Sequence, residues 1–295
     1  LAMGGNKARK LEFILGEAQR QGATTLISTA SAQSNFCLQT VAAGRKLGMK
    51  SKFVLLKGVH NETQGNLLLQ NVLDSEVEIL DVGDMSLLRG NFVSDKLHQV
   101  AEDLKAKGEK PYVMLHNLPE MPAFLGIAGW TTVAEELQAQ FDQMGLNVDY
   151  VVLANGGGGT QAGLELGARY LGVPWKVIGI PVLNREETAL PLTVDQVNAG
   201  ADFLGVSVRV TPDDIEIHDE YLGEGYGIPT SESLAAIRQV AQTEGIFLDP
   251  VYTSKGMAGL IDLSRKGRFS PSDTVVFVHT GGVPALFAYQ PEVVK

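Results

Sequence analysis

Short runs of apolar and β-branched residues alternate with longer amphipathic stretches along most of this chain. The runs Thr24–Ser28, Ser51–Leu56, Val77–Leu80, Tyr112–Leu115, Tyr150–Leu153, Lys176–Ile180 and Thr274–Val278 read as strands. Between them lie helical patterns. In Lys7–Gln21, Leu11, Ile14, Leu15 and Ala18 recur at i, i+3, i+4 and i+7, which is one face of a helix. Leu164, Ala168 and Leu171 do the same further on, and Ser34–Leu47, Gln64–Leu73, Phe92–Lys107, Phe124–Met144, Ser231–Glu244 and Ser254–Lys266 are further helix candidates. The alternation predicts an α/β fold of two lobes, each a mostly parallel twisted sheet covered by helices. Its active site is expected at the carboxyl ends of strands, in the cleft between the lobes. Gln143–Asp149, polar and glycine-containing, is the candidate seam; no internal repeat and no low-complexity segment is visible.

Composition narrows the partners. The 295 residues are enough for a large core. The net charge of −10, without a block of like charges, argues against nucleic acid or an anionic membrane as partner but leaves a small anionic ligand open. A single cysteine, Cys37, excludes an internal disulfide framework and a multi-cysteine metal site. His60, His98, His116, His218 and His279 show no metal-ligand spacing, and all but His279 read as structurally ordinary. With no signal peptide and no apolar run of about 18 residues, a cytoplasmic location is expected. The chain opens at Leu1 directly into a motif without a leading strand, so a missing natural N-terminus is expected.

That opening motif is Gly4-Gly5-Asn6-Lys7-Ala8-Arg9-Lys10. A lysine forms a Schiff base only when part of its population is neutral, and neighbouring cations and desolvation promote that. Arg9 and Lys10 supply charge, and the glycines let backbone approach a planar ring. The competing reading is the basic first turn of a solvated helix. Asn155-Gly156-Gly157-Gly158-Gly159-Thr160 follows a strand pattern and opens a helix, where successive N–H groups and the helix dipole can hold a phosphate, with Thr160 as a hydroxyl donor. Its spacing is neither the dinucleotide fingerprint nor a Walker loop. A plain strand-to-helix turn is the alternative. Ser34 and Asn35, between a strand and a helix, read either as caps or as donors to a substrate carboxylate and a cofactor oxygen. Thr280, in His279-Thr280-Gly281-Gly282, and Tyr252, just ahead of a helix, are the remaining polar candidates, each with a packing or turn role as rival.

Together, Gly4–Glu12, Gln33-Ser34-Asn35, Gly65–Leu69, Gly156–Leu164, Tyr226-Gly227-Ile228-Pro229, Asp249–Leu260 and His279–Tyr289 resemble the D-cysteine desulfhydrase and 1-aminocyclopropane-1-carboxylate (ACC) deaminase family. These are pyridoxal 5'-phosphate (PLP) enzymes of the tryptophan-synthase-β-like fold type II. The resemblance implies PLP as cofactor, with Lys7 as its Schiff-base lysine. Lys10 and Gly156, Gly157, Gly158, Gly159 and Thr160 would hold the phosphate. Asn35 would meet the cofactor oxygen and Thr280 the pyridine nitrogen, with Ser34 beside the substrate and Tyr252 near the reacting carbon. Residues 1–10 and 146–295 would form the larger, PLP-binding domain and 11–145 the smaller. Thr253 stands where ACC deaminases carry a glutamate, which resembles the desulfhydrase pattern. Phe36 stands where desulfhydrases commonly have histidine, and His116–Pro119 replaces an expected glycine-serine stretch.

The expectation is a PLP-dependent carbon–sulfur lyase, a homodimer acting on a small amino acid by β-elimination, D-cysteine first. Alternatives are ACC deamination, L-cysteate sulfo-lyase activity, a non-catalytic PLP-binding protein, and a phosphate-ligand α/β protein unrelated to PLP.

Overall fold

The computed structural model describes residues 1–81, 91–114 and 124–294; His116–Pro119 lies outside them. The chain divides into two compact units, Leu1–Leu125 with Pro284–Gln290, and Gly126–Val283 with Pro291–Lys295. The first carries a parallel sheet in the order β3-β2-β1-β4, formed by β1 (Thr25–Ser31), β2 (Lys50–Leu56), β3 (Glu76–Leu80) and β4 (Pro111–Met114). Its strands alternate faces as the two-residue period requires. Leu26, Phe53, Leu55, Tyr112 and Met114 join one cluster with α1 (Lys7–Arg20) and α2 (Asn35–Lys46). Ile27, Val54, Leu56 and Val113 join another with Val93, Leu97, Val100 and Ala101 of α4 (Asn91–Lys105). A strand apolar on both faces is the mark of a sheet covered twice.

The second unit repeats the arrangement in the order β7-β6-β5-β8, from β5 (Tyr150–Asn155), β6 (Lys176–Pro181), β7 (Glu216–Ile217) and β8 (Val275–Val278). Val151, Leu153 and Val177 pack with Trp130, Val133 and Phe141 of α5 (Phe124–Met144) and Leu164 and Ala168 of α6 (Gly159–Leu171). On the other face Val152, Ile178 and Ile180 meet Leu263 of α9 (Thr253–Arg265). Gly163 and Gly167 bring α5 against α6: a Cβ at Gly163 would collide with Trp130 Cβ, and one at Gly167 would lie 2.5 Å from Ala134 Cβ. The unit is completed by α7 (Glu186–Leu204) and by α8 (Ser231–Glu244), which is capped by Thr230 and stopped by left-handed Gly245. In the first unit α3 (Gly65–Val72) follows β2, and α10 (Ala285–Ala288) returns late in the chain.

These units do not coincide with the expected division into 1–10 with 146–295, and 11–145. Lys7 begins a continuous helix whose Leu11, Ile14 and Leu15 sit in the first unit's core, so residues 1–10 stay with it. Most of α5 goes with the second unit because Trp130, Val133, Ala134 and Phe141 pack on β5 and α6. Among the described residues no helix is long and apolar enough to cross a membrane, and no group of His, Cys, Asp or Glu is placed to hold a metal ion.

Candidate active site

In the first unit the chemistry gathers at the start of α1 and at the carboxyl end of β1. Gly4 and Gly5, at φ +78° and +129°, turn the chain into Lys7, the first residue of α1. Desolvation holds the Lys7 ammonium down at about 8. A shift of that size leaves roughly two orders of magnitude more free amine at neutral pH than an ordinary lysine has. Lys10, one turn on and buried, is pushed well below its usual range by burial and then by the Lys7 charge. Two lysines at the positive end of a helix dipole disfavour each other's charge, which a phosphate or an imine partner would relieve.

Beyond β1, Ser34 is the N-cap of α2, its Oγ accepting from Cys37 N at 3.2 Å. The cap uses a lone pair and leaves the hydroxyl able to donate, so capping and substrate roles are compatible. Asn35 is buried next to it, and its Oδ1 accepts from Asn66 Nδ2 at 2.7 Å. Phe36 packs against the core cluster of this unit.

In the second unit the glycine run leaves β5 and enters α6, whose N-terminus has no side-chain cap. Gly158 sits at φ +83°, and a Cβ there would lie 2.7 Å from Gln196 Oε1. The loop is pinned from inside. Asn155 Oδ1 accepts from Gly158 N at 3.0 Å, and its Nδ2 donates to Gln161 Oε1 at 2.6 Å and to Thr193 Oγ1 at 3.3 Å. Gln196 Nε2 donates to Gly157 O at 2.8 Å. Gln161 passes under Gly179, where a Cβ would collide with its Oε1, and reaches Glu216 O at 3.1 Å. The first N–H groups of α6 have no intrahelical acceptor, so a loop held this way offers a ready anion cradle. Gly159 and Thr160 stand at its start, both buried.

Tyr252 occupies the position just ahead of α9 in the same unit, without a side-chain cap bond of its own. The buried Asp249 carboxylate accepts from the N–H groups of Val251, Tyr252 and Thr253 at 2.9, 2.9 and 2.7 Å. Burial nonetheless raises Asp249 above the ordinary carboxylate value, against those bonds. The Thr253 hydroxyl donates to Asp249 Oδ1 at 2.7 Å and accepts from Asp249 N at 2.8 Å, so it serves this turn. Tyr252 approaches Gly156, where a Cβ would lie 3.2 Å from its ring. Its hydroxyl meets that of Tyr226 at 2.6 Å, with the rings edge-to-face at 5.8 Å. The loop carrying Tyr226 is held by two cations. Lys255 Nζ donates to Leu222 O and Gly225 O at 2.7 and 2.8 Å, and Arg185 to Asp219 O and Gly223 O at 3.2 and 2.8 Å. Burial, then the Arg185 charge, lowers Lys255 to about 8.

Thr280 is buried just past β8. His279 beside it is exposed and spends both ring nitrogens on backbone: Nε2 donates to Phe247 O at 2.9 Å, and Nδ1 accepts from Gly281 N at 3.2 Å. It is a turn-holding histidine. Sequence reasoning assigned no role to Gln33, Asn66, Gln161, Gln196, Lys255 or the Tyr226 hydroxyl. All but Gln196 lie within the motifs that carry the family resemblance, so a signal was present at those positions. Gln196 sits mid-helix in α7, outside every motif.

In the first unit a desolvated lysine whose amine gives up its proton more easily than usual, and in the second a glycine loop able to hold an anion, each fit what a phosphate-bearing aldehyde cofactor would need. The chain belongs to the family of pyridoxal-phosphate dependent enzymes, whose family model matches residues 1–281. It is 39% identical over 296 aligned positions to a D-cysteine desulfhydrase of Klebsiella pneumoniae (strain 342), covering 99% of this chain and 86% of that protein. Among solved structures it is similar to an ACC deaminase homologue, with a TM-score of 0.86 and 35% identity over 99% of this chain and 84% of that one. The processed form of threonine deaminase isoform 2 from Solanum lycopersicum shares the fold, with a TM-score of 0.64 and 16% identity over 98% of this chain and 74% of that one.

Proposed function

We propose that this chain is a PLP-dependent lyase that converts D-cysteine and water to pyruvate, hydrogen sulfide and ammonia. The observation that carries the reading is the Lys7 amine, brought to about 8 at the head of α1 with Lys10 beside it. The 39% identity to a D-cysteine desulfhydrase along 99% of the chain supports the choice of substrate. When bound, the cofactor supplies an electron-accepting ring that stabilises negative charge at the substrate Cα.

The rest falls to the chain's own residues. Lys7 would hold the cofactor through its side-chain amine. Gly156–Thr160 and Lys10 would hold the phosphate, and Ser34 would orient the substrate carboxylate through its O–H. Asn35 would donate to the cofactor oxygen, and Thr280 would serve the ring nitrogen. The Cα proton would go to the unprotonated Lys7 amine, or to Tyr252 as its phenolate once that hydroxyl has given up its own proton, with Tyr226 holding Tyr252 in place for the second route. Such proton transfer is worth about 10²–10⁴-fold. Sulfur leaves as hydrosulfide, and the three-carbon enamine left behind hydrolyses to pyruvate and ammonia. The Thr253 hydroxyl, tied into Asp249, provides no carboxylate for the ring nitrogen, and this weighs against ACC deamination. The reading includes a homodimer in the cytoplasm.

The test offers purified holoenzyme D-cysteine, L-cysteine, ACC and L-cysteate, and measures pyruvate, 2-oxobutyrate and sulfide. Pyruvate and sulfide in equal amounts from D-cysteine are expected. Turnover of ACC or L-cysteate with D-cysteine inert would replace the substrate assignment, and a bound cofactor with no product from any of them would replace catalysis with binding.

A further inference from the structure

A carboxamide can present either its oxygen or its NH2, and the two ends do opposite things to a ligand oxygen. Asn35 is therefore useful as a donor only if something fixes its orientation. Gln33 Nε2 lies 3.4 Å from Glu62 O and 3.2 Å from Gln64 O, two acceptors that never donate. The Gln33 amide can sit only with nitrogen at that end. Its Oε1 then accepts from the Asn66 backbone N–H at 3.0 Å. Asn66 Nδ2 lies 2.9 Å from Gln33 O, again a pure acceptor, which fixes the Asn66 amide. That same nitrogen lies 2.7 Å from the Asn35 side chain, so the Asn35 atom facing it must be oxygen. Both Asn66 side-chain protons are thereby used, and the NH2 of Asn35 is the end left over. Gln33 and Asn66 are anchored on backbone groups and Asn35 on the Asn66 nitrogen so fixed, so none of the three amides can be reversed without breaking a bond.

The local sequence is shaped for this. Gly65, at φ +52°, brings the start of α3 against Gln33: a Cβ there would lie 2.8 Å from Gln33 Oε1 and 2.6 Å from Pro284 O. Asn66 is fully buried, and its own Oδ1 has no hydrogen-bond partner among the described residues. A leucine would avoid that cost. Asn66 is placed for what its nitrogen does.

We infer that Gln33 and Asn66 are positioning residues that set the polarity of Asn35, so that the first unit presents an N–H donor, and never a carbonyl, to an electron-rich cofactor oxygen. The inference rests on the reading of Asn35 as that donor. A donor there stabilises the cofactor's phenolate and lowers the pH midpoint of the visible band.

The experiment compares holoenzyme Asn35→Ala, Asn66→Leu, Asn66→Asp and each Asn66 variant combined with Asn35→Ala. The readouts are the pH midpoint of the visible band and the cofactor dissociation constant. Asn66→Asp, which can only accept, turns the Asn35 NH2 inward; the midpoint should rise by about one unit and cofactor release should increase about tenfold. Asn66→Leu, which merely unlocks the amide, should give a smaller shift of the same sign. Neither should add to Asn35→Ala. A purely structural role would leave the Asn66 effects intact in the Asn35→Ala background, and that result overturns the inference. If Asn35→Ala changes both readouts and Asn66→Leu changes neither, the inference alone falls. If Asn35→Ala changes neither, the donor reading of Asn35 falls with it. Should Asn66→Asp not fold, Asn66→Leu and its double variant still decide the matter, together with hydrogen exchange of the ¹⁵N-labelled unaltered protein. Both Asn66 side-chain amide protons should exchange slowly there, and fast exchange of either also overturns the inference.

Discussion

The two units have the same strand order, β3-β2-β1-β4 and β7-β6-β5-β8, without an internal sequence repeat. In each, the order reverses at the first strand, and ligands of open parallel sheets gather at that switch point. β1 leads to Ser34 and Asn35, and β5 leads to Gly156–Thr160. In the proposed site the equivalent corner is used in two ways. The first unit offers side chains whose protons are directed by other side chains. The second offers backbone N–H groups, freed for the purpose by glycine. A side-chain donor can be tuned by one substitution, whereas a backbone donor can be lost only by changing the path of the chain.

The largest effects should come from breaking each half of that contrast. Lys7→Ala removes the amine, and the visible cofactor band should vanish with a turnover loss above about 10³-fold while the far-UV spectrum is kept. A retained band would falsify the lysine assignment. Gly158→Ala puts a Cβ against Gln196 at a backbone angle that costs roughly 1–3 kcal/mol. Cofactor dissociation should rise about 10- to 100-fold by that estimate, measured by equilibrium dialysis. Gly157→Ala, with no neighbour within 4 Å of its Cβ, should leave the stability of the apoprotein unchanged.

Next come the tyrosines. Tyr252→Phe should lower kcat by about 10²-fold and Tyr226→Phe by about tenfold, because the second hydroxyl acts through the first. Equal losses would make Tyr226 a direct participant.

The smallest effect on activity, though not on stability, belongs to Glu165 of α6. Burial raises its carboxyl from 4.5 to about 7, against the nearby Arg169. The folded state therefore keeps this proton longer than the unfolded chain, so the contribution is full below pH 4.5 and is lost as pH rises through about 7. A shift of that size corresponds to roughly 3 kcal/mol. Glu165→Gln should flatten the decline. Trp130 and Trp175 both lie in the second unit's core, so tryptophan fluorescence in urea reads that unit directly. A decline of the same steepness in the variant would place the proton elsewhere.

Much of this was legible in the residues. Phe124–Met144 and Ser231–Glu244 are helices over those very spans, because their periodicity is uninterrupted at both ends. The central strands run further than their apolar cores suggest, β1 to Ser31 and β5 to Asn155, since polar residues there still pair in the sheet. The helix α7 escaped because Pro191 lies inside it, in its second turn, where the missing N–H breaks a helical bond yet does not end the helix. Two-residue β7 is too short to leave a pattern. The glycine loop, Lys7, Ser34 and Asn35 were visible as local motifs. The work of their supports was not: Asn66 meets Asn35, and Gln196 meets Gly157, across more than thirty positions of chain. No spacing rule connects residues whose only relation is a shared hydrogen bond.

The close approach at Gly163 and Gly167 has a mechanical outcome for the loop proposed to hold the phosphate. A side chain at Gly163 or Gly167 would collide with backbone and Cβ atoms of α5, so tight packing against α5 holds α6 in place. The loop at its head inherits that rigidity. A bulkier residue at either glycine would loosen the grip on an anion from the far side of the helix, and such damage would register first as a protein that bleaches during purification.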